Sequence, residues 1–451
     1  MSVFREKLAS RERQAGVFLS LIYAFRMLGF FMIMPVFVLY AEVLPGATHF
    51  LIGLALGIYG LTQAIFQIPF AMLSDRIGRK PVIAAGLLVF AIGSLVAASS
   101  ESINGVIIGR TLQGAGAISA TLMALAADLS REEHRMRMMA FIGASIGMAF
   151  AIAMVLGPIL NEWIGVSGIF ATTAVLAVVG LGILYLLVPD PLDSHFHHDT
   201  ELQTSNLLAV LKMPELLRLN VGIFALHFVL MALFLVIPLA LRDTAGLAVG
   251  SHGSLYLIIL IVSLVCMLPF IIVAEFKQRL RQVFIGAVMC LMLAVAGLMA
   301  SSGLVAMAIS LIVFFTGFNL LEAMLPSLVS KTAPATGRGT AMGLYSSSQF
   351  LGAFAGGVTG GAAQAVWGIE GVYGAALVVL TVWLGVAFFM KNPRHLSTYL
   401  LKVDTVTEDE LLNIRGVVEA AIIKEEAVAY MKVEKHILDE EKLLSFAAAK
   451  H

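Results

Sequence analysis

The chain has 451 residues, 59% of them hydrophobic and 13% charged, with 29 basic and 29 acidic side chains giving a formal net charge of zero. A water-soluble fold could not hide that much apolar surface, so the solvent must be largely lipid. The apolar stretches show no dyad alternation, which excludes a β-barrel, and no nucleic-acid partner is expected.

The opening MSVFREKLASRERQ is charged and lacks an apolar core followed by a small-residue cleavage site, so the first apolar stretch is expected to remain as a helix. Stretches long enough to cross a hydrocarbon layer, about 20 helical residues each, follow in order at 15–43, 49–73, 81–98, 104–128, 136–160 and 164–188. The polar segment PDPLDSHFHHDTELQTSN (189–206) interrupts them and predicts a linker over 189–212, with its histidines and aspartates solvated in a loop without fixed metal geometry. A second group follows at 213–242, 250–274, 281–300, 303–330, 340–364 and 369–391. The expected fold is an all-α polytopic membrane protein of twelve transmembrane helices in two six-helix halves, 1–188 and 213–392.

Two regularities organise these spans. The halves resemble each other at an offset of 200 residues: Pro69-Phe70 recurs as Pro269-Phe270, Asp75 meets Glu275, Arg79 meets Arg279, and Gly143 meets Gly343. Parallel repeats of six helices are a known transporter plan, with the substrate site midway between them. Basic residues also fall lopsidedly. Alternate loops and the N-terminus hold Arg76, Arg79, Lys80, Arg131, Arg135, Arg137, Lys277 and others, whereas Arg242 alone lies in the opposite loops, so both termini are expected in the cytoplasm.

After Pro393 the composition turns polar. STYLLKV, TEDELLNIRG, VVEAAIIK, AVAYMKVE and ILDEEKLLSFAAA read as β-α-β-β-α, a small ferredoxin-like domain over 393–451 with a capping box from Thr407 to Glu410 and a helix stop at Gly416. Cys266 and Cys290 lie in apolar spans and read as buried small hydrophobes, neither a disulfide nor a metal site. No metal, no cofactor and no enzymatic activity is expected, because metal-ligand spacing, a nucleophile elbow and a phosphate loop are all missing.

The few ionisable groups inside spans are the leading site candidates, since a charge there costs roughly 2.5–3.5 kcal/mol on insertion scales. They are Arg26, Arg110 and Glu322. Glu322 is the acid near a span centre and the first choice for a proton carrier, a structural partner of a neighbouring polar group being the alternative. Arg26 could instead bind an anionic solute. His227 in span seven could titrate or serve as hydrogen-bonded structure. Tyr59, Gln63, Gln67, Asn319, Tyr345 and Gln349 either line a cavity or join helices.

Between spans two and three stands Phe70-Ala71-Met72-Leu73-Ser74-Asp75-Arg76-Ile77-Gly78-Arg79-Lys80-Pro81, which resembles the signature G-x-L-x-D-[RK]-x-G-R-[KR] of the major facilitator superfamily, with Ala71 in place of the first glycine. Arg110-Thr111-Leu112-Gln113-Gly114-Ala115-Gly116 is similar to the family's second signature, RxxxGxG. Gly157-Pro158 matches part of the antiporter signature, where Asn161 and Glu162 replace paired glycines. The resemblance covers about 13–392 and implies a drug/proton antiporter-like efflux protein of the bacterial inner membrane, with a small-molecule substrate, protons and the lipid bilayer as partners. It also implies a role for Arg110 in proton transfer or span-four polarity. Gly114, Gly157 and Pro158 then serve helix packing.

In physical terms the loop reads as a conformational lock. Asp75 can sit at the positive end of span eleven near Gly339 and Thr340, while Arg79 reaches Asp128 at the foot of span four; Arg76, Gly78 and Lys80 complete the turn and set topology. The rival readings are proton-coupled uptake of an organic solute, and a membrane sensor or scaffold whose tail binds a ligand or protein partner.

Overall fold

The computed structural model describes residues 2–130, 132–190, 212–276, 279–334, 338–390, 396–402, 407–423, 428–434, 437–439 and 442–443. The loop expected to be a linker lies outside these residues from 191 to 211, together with Asp193, His195, His197, His198 and Asp199.

Helices dominate. In chain order they are α1 (Ser2–Phe31), α2 (Phe37–Ala41), α3 (His49–Ile77), α4 (Arg79–Ala98), α5 (Ile103–Ala115), α6 (Ser119–Asp128) and α7 (Glu132–Leu186), followed by α8 (Pro214–Phe234), α9 (Ile237–Leu239), α10 (His252–Phe276), α11 (Leu280–Ala300), α12 (Leu304–Thr332) and α13 (Arg338–Phe388). Among the described residues nine helices are long and apolar enough to cross a membrane. Their outer faces carry exposed Leu186, Leu293, Val305 and Phe388, an apolar surface suited to lipid. Cys266 is on such a face and Cys290 is half-buried, which corrects the expectation of two buried thiols. In lipid an outward thiol is solvated as well as an inward one.

Two long elements are each two helices. α7 contains Gly165 at φ 67° and α13 contains Gly368 at φ 69°, conformations that interrupt helical hydrogen bonding and that only a residue without Cβ adopts cheaply. Three expected spans, in contrast, are broken. The first pauses between Phe31 and Phe37, where Pro35 brings no N–H, the fourth between Ala115 and Ser119, and the seventh between Phe234 and Ile237.

Backbone features recur at the offset visible in the sequence. Val36 and Val236, 200 residues apart, both sit at a helix start with φ −123° and −120°. Gly46 and Gly246 take φ 79° and 65°. Lys80 donates to the Val188 carbonyl at 2.7 Å, and Arg281 donates to the Phe388 carbonyl at 2.6 Å. In each group a cation at the start of the third span thus covers the unsatisfied carbonyl end of the sixth.

The two groups of helices meet along α3 with α13 and along α7 with α10. Glycine governs the first contact: a Cβ on Gly53 would stand 2.2 Å from the Gly357 carbonyl oxygen, and one on Gly60 would stand 2.4 Å from that of Phe350. Backbone therefore lies on backbone, the small-residue packing that membrane helices use where no hydrophobic force draws them together.

Beyond 390, strands β1 (Leu396–Lys402), β2 (Val417–Ile423) and β3 (Val428–Glu434) form an antiparallel sheet in the order β1-β3-β2, with the short helix α14 (Glu408–Leu412) against β2. Leu401, Leu411, Ile414, Met431, Val433 and Leu443 make its core. The expected capping box is present, Thr407 Oγ1 accepting from the Glu410 N–H and Glu410 accepting from the Thr407 N–H at 2.8 Å. Most of the final expected helix lies outside the described residues.

Candidate functional site

Charges within the apolar layer gather into two clusters, one in each group of helices. In the first group Arg26 of α1 reaches the break between α5 and α6, donating to Ser119 Oγ at 2.8 Å, to the Gly116 carbonyl at 3.0 Å and to Gln63 Oε1. The guanidinium satisfies a carbonyl that the interrupted helix leaves free. Its Nε has no partner. Arg110 of α5 is fully buried and donates to the carbonyls of Ala55 and Leu56, both at 3.3 Å, and to Gln113 Oε1 at 2.9 Å. Gln113 in turn donates to Ser94 at 2.7 Å.

Among the described residues neither arginine has a carboxylate partner. Aromatic faces stand in its place: the Arg110 guanidinium carbon lies 5.0 Å from the Tyr59 ring centre and 5.5 Å from that of Phe30, and Arg26 lies 5.6 Å from Phe90 and 5.9 Å from Tyr59. A desolvated cation over a ring gains about 2 kcal/mol or more. Tyr59 is therefore shared between two buried positive charges.

The glycines of this region permit the approach. A Cβ on Gly114 would stand 2.0 Å from Thr62 Oγ1, one on Gly116 2.4 Å from the Gly86 carbonyl, and one on Gly157 2.2 Å from the Met32 carbonyl. The motif spacing thus seats α5 on α3 and α4, and α7 on the break that follows α1. Pro158 flanks Gly253 of α10, a contact between the two groups.

In the second group Gln349 of α13 is the centre. Its amide nitrogen lies 2.8 Å from His227 Nε2 and 3.3 Å from Glu322 Oε1. Since the amide donates, His227 Nε2 accepts, and Nδ1–H is left to donate to the Ile223 carbonyl at 3.3 Å. One neutral tautomer satisfies both contacts. Glu322 stands 3.9 Å from His227, with its side chain about 35% exposed and Oε2 without a partner. Tyr345 is buried with an unpartnered hydroxyl, and Asn319 donates to Ser263 at 3.3 Å. His227 and Glu322, on separate spans of the sequence, are thereby neighbours.

Gln67 connects the groups. It donates to the Gly343 carbonyl at 3.4 Å, and its Oε1 accepts from Ser346 at 3.2 Å and from Gln63 at 3.4 Å. A polar path therefore leads from Arg26 through Gln63 and Gln67 to α13, one turn from Gln349.

At the turn between α3 and α4, Arg79 donates to Asp128 at 3.1 Å, to Ser74 at 2.8 Å and to Asp75. Gly78 makes the turn at φ 96°. Arg76 is exposed. Lys80 pairs with Asp190 at 2.7 Å as well as with the Val188 carbonyl, so it fastens the start of the segment joining the two groups. The Arg79 contacts are internal to the first group and shape the turn that presents Asp75.

Sequence reading did not single out Ser94, Gln113, Ser119, Ser263 or Ser346. Comparing polar positions 200 residues apart pairs Gln63 with Ser263 and Ser119 with Asn319, a signal that was available.

Residues 19–357 match the Major Facilitator Superfamily. The inner membrane transport protein YajR of Escherichia coli (strain K12) is 43% identical over 438 residues, 96% of each chain. The multidrug resistance protein MdtH of Aeromonas hydrophila is 25% identical over 88% of this chain and 100% of its own. Among solved structures, a bacterial homolog of the human lysosomal transporter Spinster, inward-facing and occupied, superposes with a TM-score of 0.67 at 14% identity, covering 84% of this chain and 96% of that one.

Proposed function

Because the chain belongs to the Major Facilitator Superfamily, a family of membrane transporters and not of enzymes, we propose that it exports small drug-like or amphipathic molecules in exchange for protons. On this reading two six-helix halves rock about a central cavity, twelve passages arise because α7 and α13 each hold two and α5 with α6 makes one, and both termini lie in the cytoplasm.

The observation that carries it is Glu322, a partly exposed carboxylate in a membrane span, held on one oxygen by Gln349 and unpartnered on the other. A charge in that medium is costly, so the carboxylate is discharged either by a proton or by a cationic or polar solute. Occupancy by one disfavours the other, which is the condition for exchange. Arg26 and Arg110, tied to helix breaks and carbonyls, fix the wall of the first half, and Gln63, Gln67, Tyr59, Asn319 and Tyr345 line or brace the cavity. Asp75, presented by Arg79, meets the positive end of the helix that starts at Arg338 when the cytoplasmic mouth closes. Among the described residues β1 and β2 are the edge strands of the sheet beyond residue 395, and the sheet serves as a ferredoxin-like appendage that binds a ligand or partner by edge addition.

The test is flux of a panel of labelled amphipathic solutes in proteoliposomes under an imposed pH gradient. Gradient-driven movement in the wild type that Glu322→Gln uncouples, with folding intact, is the expected result. Coupling that survives Glu322→Gln removes Glu322, and absence of any flux across a broad panel counts against export.

A further inference from the structure

Glu42 and Arg242 are 200 residues apart in the sequence, the same separation that relates Val36 to Val236 and Gly46 to Gly246. They are equivalent positions in the two halves. They also touch: Arg242 donates to Glu42 Oε2 at 3.2 Å. Two equivalent positions of parallel repeats meet each other only beside the axis that relates the repeats, and that axis lies along the membrane normal. The contact therefore stands at the centre of one mouth, the one opposite the Asp75–Arg79 turn, where α2 and α9 come together.

Its surroundings hold it there. Asp243 accepts from Arg242 Nε at 2.6 Å and from Nη2 at 2.8 Å, a fork that aims the remaining nitrogen at Glu42. On one flank Glu162 of α7 covers Gly250, and Gly253 lies against the Val155 carbonyl. On the other, Gly361 lies against the His49 carbonyl. Beside the pair is a cavity of about 480 Å³ lined by Tyr40, Asn161, Ser167 and Arg242 among others.

We infer that Glu42 and Arg242 form an axial latch that keeps this mouth closed and parts each time the halves rock the other way. Resting on the two-halved rocking reading above, it makes both residues gating, positioning groups that touch no transported solute. Partial exposure, 29% for Glu42 and 37% for Arg242, suits the task. An exposed pair contributes little and is re-solvated cheaply, whereas a buried one would be too costly to break in every cycle.

The experiment uses the full chain in lipid nanodiscs with Cys266 and Cys290 replaced by Ser and spin labels attached through Glu101→Cys and Ser302→Cys, two exposed positions at this mouth. Distances between the labels are measured with no solute and no pH gradient. Glu42→Gln and Arg242→Gln should each raise the long-distance, open population by up to roughly fivefold, and the double variant should do no more than either single one. Unchanged populations, or effects that multiply in the double variant, overturn the latch. Should a neutral variant fail to fold, Glu42→Cys with Arg242→Cys replaces it, read by solvent accessibility of the mouth: an oxidised pair must hold it shut and a reduced pair must release it. A mouth that opens despite the disulfide overturns the inference. Because no flux is measured, failure here leaves proton-coupled export standing, and failure of export leaves the latch standing.

Discussion

Gln63 donates its side-chain amide to the Ser119 hydroxyl at 3.3 Å. Two hundred residues later the same distance separates Asn319 from Ser263, with amide and hydroxyl exchanged between the spans. The position of the hydrogen bond is retained while the chemistry around it has diverged. In the first group it lies beside Arg26, whose counterpart is Leu226, and in the second Asn319 is three residues from Glu322, whose counterpart is Leu122, so the charges themselves are not repeated.

Gln349→Leu should weaken the fold and disturb coupling together. His227 Nε2 would lose its donor in a buried setting, at a cost of about 1–3 kcal/mol, while water partly replaces the amide at the more exposed Glu322. A lower thermal midpoint in detergent, with a shifted pH profile of flux, is the expected pair of results. An unchanged midpoint would show that the bridge is not holding the helices.

Arg26→Lys keeps the charge and removes the fork. A lysine ammonium cannot address Ser119, Gln63 and the Gly116 carbonyl at once, so the break between α5 and α6 loses its partner. We expect destabilisation of about 2 kcal/mol, the scale of a hydrogen bond to a charged group, measured by thermal unfolding. Wild-type stability would mean that water serves the carbonyl equally well.

Asp75→Asn and Asp128→Asn should separate two roles. Asp128 is nearly buried and anchors Arg79, so its loss lowers stability, by about 2 kcal/mol on the same scale. Asp75 is exposed, so its loss should leave stability nearly unchanged while raising thiol-reagent access to the cytoplasmic cavity. Equal access in both variants would deny Asp75 a part in closure.

Gly53→Ala places a Cβ 2.2 Å from a carbonyl oxygen that has no side-chain freedom to yield. The helices α3 and α13 must separate there, at a cost of about 1–3 kcal/mol. Label distances across the Glu42–Arg242 mouth should lengthen. If they stay put, the contact is looser than backbone on backbone.

In the tail, the Thr407 N–H and then its hydroxyl hold the Glu410 carboxyl below the usual carboxylate range. A group whose folded value is depressed supplies stability above its unfolded value, about 4.3, and that stability is lost as pH falls through the folded value. Hydrogen exchange over 407–416 in the full chain should therefore speed up, after correction for intrinsic rates, only on acidification below about pH 4. Thr407→Ala should remove that dependence.

Composition and the motifs at Asp75–Lys80 and Arg110–Gly116 were sufficient to place the chain in lipid and in its family, because span length, loop charge and small-residue spacing are local properties written in order along the chain. Span length likewise showed that the stretches 136–188 and 340–391 each hold two passages, while the glycines at 165 and 368 that divide them emerged only from the backbone. Glu322 was legible because an acid within an apolar run has no ordinary explanation. Its neighbours were not. That Gln349 joins it to His227, that Gln67 reaches the other half, and that Arg26 stitches a broken helix are decided by how residues more than twenty-five positions apart in sequence turn toward one another. A hydrogen bond depends on direction within a few tenths of an ångström, and periodicity carries no such information. The sequence by itself determined the solvent, the repeat and the residues with something to explain; the tertiary structure decided which of them meet, because only packing fixes the rotation of each helix about its own axis.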